Sequence, residues 1–253
     1  MDLGLQGKKA ILIGAARGIG MAIAETLARE GCDIALSARS EDSVKDAVAH
    51  LGRYGTRIVG KPVNAKNADE YKAWLEWAIE ALDGVDVLIP LSSSGSGIGS
   101  EKYWYNAFEV DVMGPVRAVE AVLPRMTEQK SGAIVLIATT SAAEAMGGPQ
   151  AYNAMKASLV TWGKQLALQH GKDNIRVNVV SPGPVEFEGG NWDMIKGTME
   201  KFYNSQVRQQ PAGRLGTPEE IARCAVFLAS PAASWCNGSH LTVDGGFTKR
   251  THF

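Results

Sequence analysis

The run AYNAMKASLV, residues 151–160, sets a tyrosine four residues ahead of a lysine in a segment of helical composition, so Tyr152 and Lys156 share one face a turn apart. A phenol and an ammonium so placed can move a proton. The free phenol titrates near ~10, too high for a good base at neutral pH, and a neighbouring positive charge stabilises its phenolate. The same spacing also arises when a tyrosine packs on a lysine's aliphatic stem. The rest of the chain has to decide between the two.

A second group of residues points to a phosphate. ILIGAARGIGMAIAETLARE puts Gly14, Gly18 and Gly20 directly after an apolar run and at the opening of a helical pattern, in which Ile19, Ile23 and Leu27 fall four apart. Glycines there permit a tight turn and let backbone N–H groups approach a pyrophosphate at a helix N-terminus. The spacing is G-x-x-x-G-x-G rather than G-x-G-x-x-G, so the general fingerprint is met in part. A glycine-rich turn without ligand is the alternative; its place in the first βα unit favours the nucleotide. The next apolar run ends in ALSARS, where an NAD site usually offers an acid to the ribose 2′-hydroxyl. Here Ala38 is followed by Arg39, a cation suited to a 2′-phosphate, and Arg17 inside the turn adds a second. Unless both are simply solvated arginines, the expected cofactor is NADP(H), with NAD(H) the alternative.

These residues need elements to hold them. Short apolar runs at 10–14, 33–38, 57–62, 85–90, 133–139, 175–181 and 240–246 alternate with longer segments of helical period such as MAIAETLARE and DEYKAWLEWAIEAL. Such alternation predicts βαβ units around a parallel sheet buried on both faces. With no linker and no repeat, residues 1–253 are expected to form a single α/β Rossmann-type domain, a doubly wound parallel sheet with helices on both faces. Only residues 184–216, rich in glycine and aromatic residues, escape the alternation.

Composition narrows the class. A chain of 253 residues with 45% hydrophobic and 21% charged residues can bury a full core. Its net charge of −1 and lack of a basic run argue against nucleic acid as a partner. Cys32, Cys224 and Cys236 form no framework or metal spacing, which suggests reduced thiols and no metal site. The N-terminal apolar run is too short for a signal peptide, and no window has the length needed to cross a bilayer. A soluble, cytoplasmic protein acting on a small molecule is expected.

With the glycine turn, Tyr152-x-x-x-Lys156 and VSPGPV after the sixth apolar run, the sequence resembles the short-chain dehydrogenase/reductases from KKAILIGAARGIG to VDGGF. The resemblance implies a nicotinamide cofactor, reversible carbonyl–alcohol oxidoreduction, and a homodimer or homotetramer whose GGFTKRTHF tail reaches a neighbour. It assigns proton transfer to Tyr152, and to Lys156 a bond to the nicotinamide ribose and the lowering of the tyrosine's pKa. It assigns the cofactor to Gly14, Arg17, Gly18, Ile19, Gly20, Arg39, Asn64, Ser92, Tyr152, Lys156, Pro182, Gly183 and Val185. The family's catalytic serine lies thirteen residues before the tyrosine, which here is Thr139, a residue that keeps the hydroxyl; Ser141 is the rival if the loop is shorter by two.

Three positions depart from the pattern. Residues 90–93, PLSS, replace Asn-Asn-Ala-Gly, and Pro90 removes a backbone donor there. Asp111 replaces the active-site asparagine; it either helps keep Lys156 protonated or is a helical aspartate paired with a nearby base. Phe187 stands where a threonine usually bonds the cofactor. In the family the segment after Pro-Gly is a substrate lid. Here it carries Phe187, Trp192, Met194, Ile195, Met199, Phe202 and Tyr203, which suit a hydrophobic or ring-containing substrate unless they pack a helix or subunit interface, with Gly189 and Gly190 as a hinge. Glu186 and Glu188 at the lid's mouth are expected to repel an acidic carrier protein. The departures also motivate a second reading: a catalytically weak nucleotide-binding sensor or scaffold on the same fold. An isomerase, epimerase or dehydratase is a third.

Overall fold

The structure is a computed structural model that describes residues 2–95, 100–144 and 149–249. Its strands are β1 (Lys9–Ile13), β2 (Asp33–Ala38), β3 (Ile58–Pro62), β4 (Val87–Pro90), β5 (Gly132–Ile137), β6 (Ile175–Pro182) and β7 (His240–Val243). All pair in parallel in the order β3-β2-β1-β4-β5-β6-β7. Each falls on one of the apolar runs expected to be a strand.

Strand residues alternate between two cores, because successive side chains point to opposite faces. Leu12, Leu36, Ile89 and Val135 pack with α1 (Gly18–Arg29) and α2 (Glu41–Leu51) on one face. Ile11, Ile13, Leu88 and Leu136 pack with α3 (Ala68–Leu82) on the other. After α4 (Glu101–Ala107), a π-helical stretch at Phe108–Met113 leads into α5 (Gly114–Glu128), which joins the second core together with α6 (Ala151–His170). Of the last three helices, α7 (Asn191–Thr198) and α8 (Glu200–Gln209) bury no residue, whereas α9 (Pro218–Ala229) completes the first core. The doubly wound architecture is therefore present.

Thr139, expected inside the fifth strand, lies just beyond it. Its extended backbone (φ −161°, ψ 152°) opens a 3₁₀ turn at Thr140–Ala142. β7 stops at Val243 rather than 246, because Gly245 and Gly246 take positive φ (63° and 83°) and Asp244 bonds Gly246 N–H and Thr248 N–H. Arg250–Phe253, the end of the tail expected to reach a neighbour, lie outside the described residues.

Candidate active site

In an open α/β sheet, ligands bind at the C-terminal edge where the strand order reverses, here between β1 and β4. The chain opens its cleft there by a local device. β4 and β5 pair only at Val87↔Ala133 and Leu88↔Ile134. Leu91 N–H bonds Ile13 on the β1 side, so the preceding amide position faces β5, and that position is Pro90. Lacking a donor, it ends the ladder.

The glycine turn sits at this edge. Gly14 and Ala15 N–H both donate to the Ser37 carbonyl at 2.9 Å. Gly14 has φ +82°, and a Cβ on it would lie 3.0 Å from Ser92 N, so both conformation and space require glycine. Helix α1 begins without a side-chain cap and without an acidic residue in its first turn. Its leading N–H groups and the positive end of its dipole are left for an anion, which the pyrophosphate of a dinucleotide supplies. Arg39 is exposed and, among the described residues, has no ion-pair partner. These residues fit the cofactor. Two contacts modify the picture. A Cβ on Gly18 would lie 2.5 Å from Phe187 Cζ, so that ring rests on the turn, and Arg17 Nη1 donates to the Gly189 carbonyl at 3.1 Å. Asn64 is exposed beyond β3, its side-chain oxygen accepting from Lys66 N–H at 3.2 Å. Pro182 ends β6, and Gly183 N–H bonds the Val243 carbonyl. Glu186 N–H bonds the Gly216 carbonyl and Gly216 N–H the Pro184 carbonyl, which leaves Val185's own main-chain groups on the opposite side.

Tyr152 and Lys156 lie in the first turns of α6, and the cation stands 5.9 Å from the tyrosine ring centroid. Lys156 is almost wholly buried; it donates to the Ile137 carbonyl at 2.9 Å and meets Asp111 Oδ1 at 3.4 Å, an ion pair without an aligned hydrogen bond. Asp111 is fully buried within the π-helical stretch, a form frequent at functional sites. Its Oδ2 accepts from Ser94 N–H at 3.2 Å and from the Ser94 hydroxyl. Burial holds Lys156 below the ordinary lysine value, against the opposing pull of Asp111. The hydroxyls of Ser93 and Thr139 act on Tyr152 from the loops after β4 and β5. Burial pushes the tyrosine hydroxyl up to about 12 and Asp111's charge adds to the rise, while those two hydroxyls pull the other way. In the protein alone, burial first and the charge of Asp111 second outweigh the two neighbouring hydroxyls at Tyr152. Ser141, the rival to Thr139, lies in the 3₁₀ turn and donates its N–H to Thr139 Oγ1 at 3.3 Å.

Ser93 and Ser94 escaped sequence reading, which singled out Ser92 in that loop. The signal was there: three consecutive hydroxyls follow a strand end, the first two where the resemblance expects alanine and glycine. The lid also differs from expectation. Glu186 is not a free charge at its mouth; it pairs with Lys196 at 2.7 Å and accepts from Tyr203 at 2.5 Å. Trp192 and Phe202 stack at 6.2 Å, 10° from parallel, and Met194, Met199 and Phe202 stay exposed. Among the described residues no cluster of ligands could hold a metal, and no helix is long and apolar enough to cross a membrane.

Sheet order, phosphate-ready helix and tyrosine–lysine pair meet at one edge, and together they define a nucleotide-dependent oxidoreductase of Rossmann type. Comparison with known proteins narrows the class. The family model described as Enoyl-(Acyl carrier protein) reductase matches residues 14–248. Isoepoxydon dehydrogenase patN of Penicillium expansum is 32% identical over 257 residues, with 100% of this chain and 99% of the relative covered. The 3-oxoacyl-[acyl-carrier-protein] reductase FabG of Vibrio cholerae is 32% identical, covering 96% and 98%. L-Sorbose reductase from Gluconobacter frateurii, solved with NADPH and L-sorbose, superposes with a TM-score of 0.92 at 33% identity, covering 99% of this chain and 100% of that one. The chain belongs to the short-chain dehydrogenase/reductase family, oxidoreductases that act on C=O and CH–OH groups with a nicotinamide cofactor.

Proposed function

We propose that the protein is a cytoplasmic, NADP(H)-dependent reductase or dehydrogenase of a small carbonyl or secondary alcohol, hydrophobic or ring-containing, assembled as a homodimer or homotetramer. The observation that carries this reading is the tyrosine–lysine pair of α6 at the cleft edge, with buried Lys156 one turn beyond Tyr152 and its ammonium 5.9 Å from the tyrosine ring. The cofactor, when bound, supplies or accepts the hydride. Thr139 orients the substrate oxygen, and Tyr152 gives up or takes the proton there. Lys156 has three N–H donors; one holds Ile137 and one faces Asp111, which leaves the third for the nicotinamide ribose. Asp111 acts through Lys156, keeping it charged; Ser141 shapes the turn that carries Thr139.

Gly14, Gly18, Ile19 and Gly20 receive the pyrophosphate at the start of α1. Arg39, with Arg17, receives the 2′-phosphate; the unpaired state of Arg39 supports NADP(H) over NAD(H). Asn64 and Ser92 wall the cofactor cleft, and Val185, beside Pro182 and Gly183, offers main-chain groups to the carboxamide. Residues 184–216 serve as a lid, supported by two helices with no buried residue and by the exposed Met194, Met199 and Phe202. The paired Glu186 removes one objection to an acyl-carrier substrate, but the aromatic lid still favours a free small molecule. Exposed Tyr103, Trp104, Tyr105 and Phe108 support an assembly of subunits. The sensor or scaffold reading is favoured by the resting Phe187 ring and the raised tyrosine.

Parallel NADPH and NADH titrations followed by tryptophan quenching, then a carbonyl and alcohol panel, test the proposal. NADPH is expected to bind tighter, the preference vanishing in Arg39→Asp, and Tyr152→Phe should lose turnover while keeping cofactor affinity. Equal binding of NADH would overturn the Arg39 assignment; turnover retained by Tyr152→Phe would overturn the catalytic one. Cofactor binding with no turnover across the panel would establish the sensor.

A further inference from the structure

Within three residues the loop after β4 touches both halves of the cleft. The Ser92 backbone lies against the glycine turn, its N 3.0 Å from where a Cβ on Gly14 would stand. Ser94 reaches the other way, to Asp111 of the π-helical stretch, and gives that residue's Oδ2 both its N–H, at 3.2 Å, and its hydroxyl. The hydroxyl also lies 3.3 Å from the Gly95 carbonyl. It has one proton, and the charged oxygen is the closer and stronger acceptor. Between the two serines, Ser93 Oγ accepts from Gly95 N–H at 3.1 Å and closes the bend.

The other carboxylate oxygen is held differently. Asp111 Oδ1 is buried and, among the described residues, has no hydrogen-bond partner; it faces Lys156 Nζ at 3.4 Å without alignment. A buried carboxylate and ammonium this close are stabilised by meeting in an aligned bond, and here they do not. The restraint lies at Oδ2. The carboxylate is rigid, and two donors from one residue fix that oxygen, so Oδ1 cannot swing toward the ammonium without breaking them. Lys156 is held from its own side by the Ile137 carbonyl at 2.9 Å. Tyr152, also from α6, is the further titratable group whose field Asp111 enters, and Glu109 of the same stretch is already matched by Arg117 of α5 at 3.0 Å.

We propose, resting on the functional reading above, that Ser94 is a positioning residue: its two donors hold Asp111 Oδ2 and keep the carboxylate from closing on Lys156, so that the lysine retains an N–H for the nicotinamide ribose. Asp111 stands where the resemblance expects a neutral asparagine. An asparagine turns no charge toward the lysine and needs no restraint. A carboxylate supplies the charge that keeps Lys156 protonated in a buried site, but left unrestrained it also occupies the donor that the cofactor uses. Ser94 separates these two effects. Its hydroxyl is the specific part, because every residue except proline offers the N–H at that position. Without the hydroxyl, Asp111 is held by a single 3.2 Å bond, and the aligned bond to the ammonium wins.

The test reads the lysine directly, without turnover. Lysines isotope-labelled at Cε are titrated by carbon NMR in the wild type, Ser94→Ala and Ser94→Thr, the Lys156 resonance being the one that Lys156→Arg lacks. A new hydrogen bond between two charged groups should raise the Lys156 midpoint by about one pH unit in Ser94→Ala. The donor lost to the cofactor should weaken NADPH binding about tenfold, followed by tryptophan quenching. Ser94→Thr should stay close to wild type in both. In Asp111→Asn, which leaves no charge to close on the lysine, adding Ser94→Ala should move neither readout. If Ser94→Ala does not fold, Ser94→Cys, a weak donor, takes its place. A midpoint that stays or falls in Ser94→Ala overturns the proposal, as does unchanged NADPH affinity or a shift of equal size in the Asp111→Asn background. A wild type that binds neither NADPH nor NADH, or turnover retained by Tyr152→Phe, overturns the functional reading instead, and the midpoints still decide whether Ser94 restrains Asp111.

Discussion

Replacing Asp111 by asparagine keeps the size of the side chain and an oxygen for Ser94, and removes only the charge. Two unit charges 3.4 Å apart attract by about 5 kcal/mol at an effective dielectric of about 20. Part of that offsets the desolvation of both groups, and breaking one side of a buried pair costs about 3–5 kcal/mol. The cost has a pH signature. Lys156 is already held below 10.5 by burial, and without Asp111 it falls further. Between its folded value and 10.5 the unfolded chain binds a proton that the folded variant lacks, so the variant's stability rises with pH, by up to about 1.4 kcal/mol per unit. Urea unfolding of wild type and Asp111→Asn at pH 6, 8 and 9.5 should show the deficit largest at pH 6 and shrinking at each step. A deficit that does not change with pH, or none at all, would refute the view that Lys156 and Asp111 are held as a pair of charges.

Other expectations follow from single contacts. Phe187→Thr removes the ring that rests on Gly18, so NADPH should bind several-fold tighter by tryptophan quenching; weaker binding would make the ring part of the cofactor wall. Glu220→Ala breaks the capping box with Thr217 at the start of α9 and the ion pair with Arg214. With that carboxylate partly exposed and screened, the loss should be about 1 kcal/mol, or about 2 °C in Tm. Arg214 and the Thr217 N–H hold Glu220 down at about 2, so its stabilisation is present above the ordinary value of 4.5 and is lost as pH falls from there toward about 2. The wild type and the variant should therefore converge in acid, and a gap persisting at pH 2 would contradict the assignment.

The sequence by itself determined the parallel sheet, the glycine turn and the tyrosine–lysine face. Each of these is local: period-two burial, positive-φ glycines and helical spacing are written in neighbouring residues. Thr139 follows from counting along the chain from Tyr152, and it stands just beyond β5 at the opening of the 3₁₀ turn. What only the tertiary structure decided concerns groups far apart in sequence. Ser94 meets Asp111 across seventeen positions, and Phe187 comes to lie on Gly18 from beyond the sixth strand. Glu186 read as a free charge until Lys196 and Tyr203 folded back on it. The electrostatic outcome at Tyr152 was least legible of all. Spacing predicts a cation beside a phenol, but the sign of the net effect depends on burial and on which counter-charge reaches the cation first, and here Asp111 reaches it.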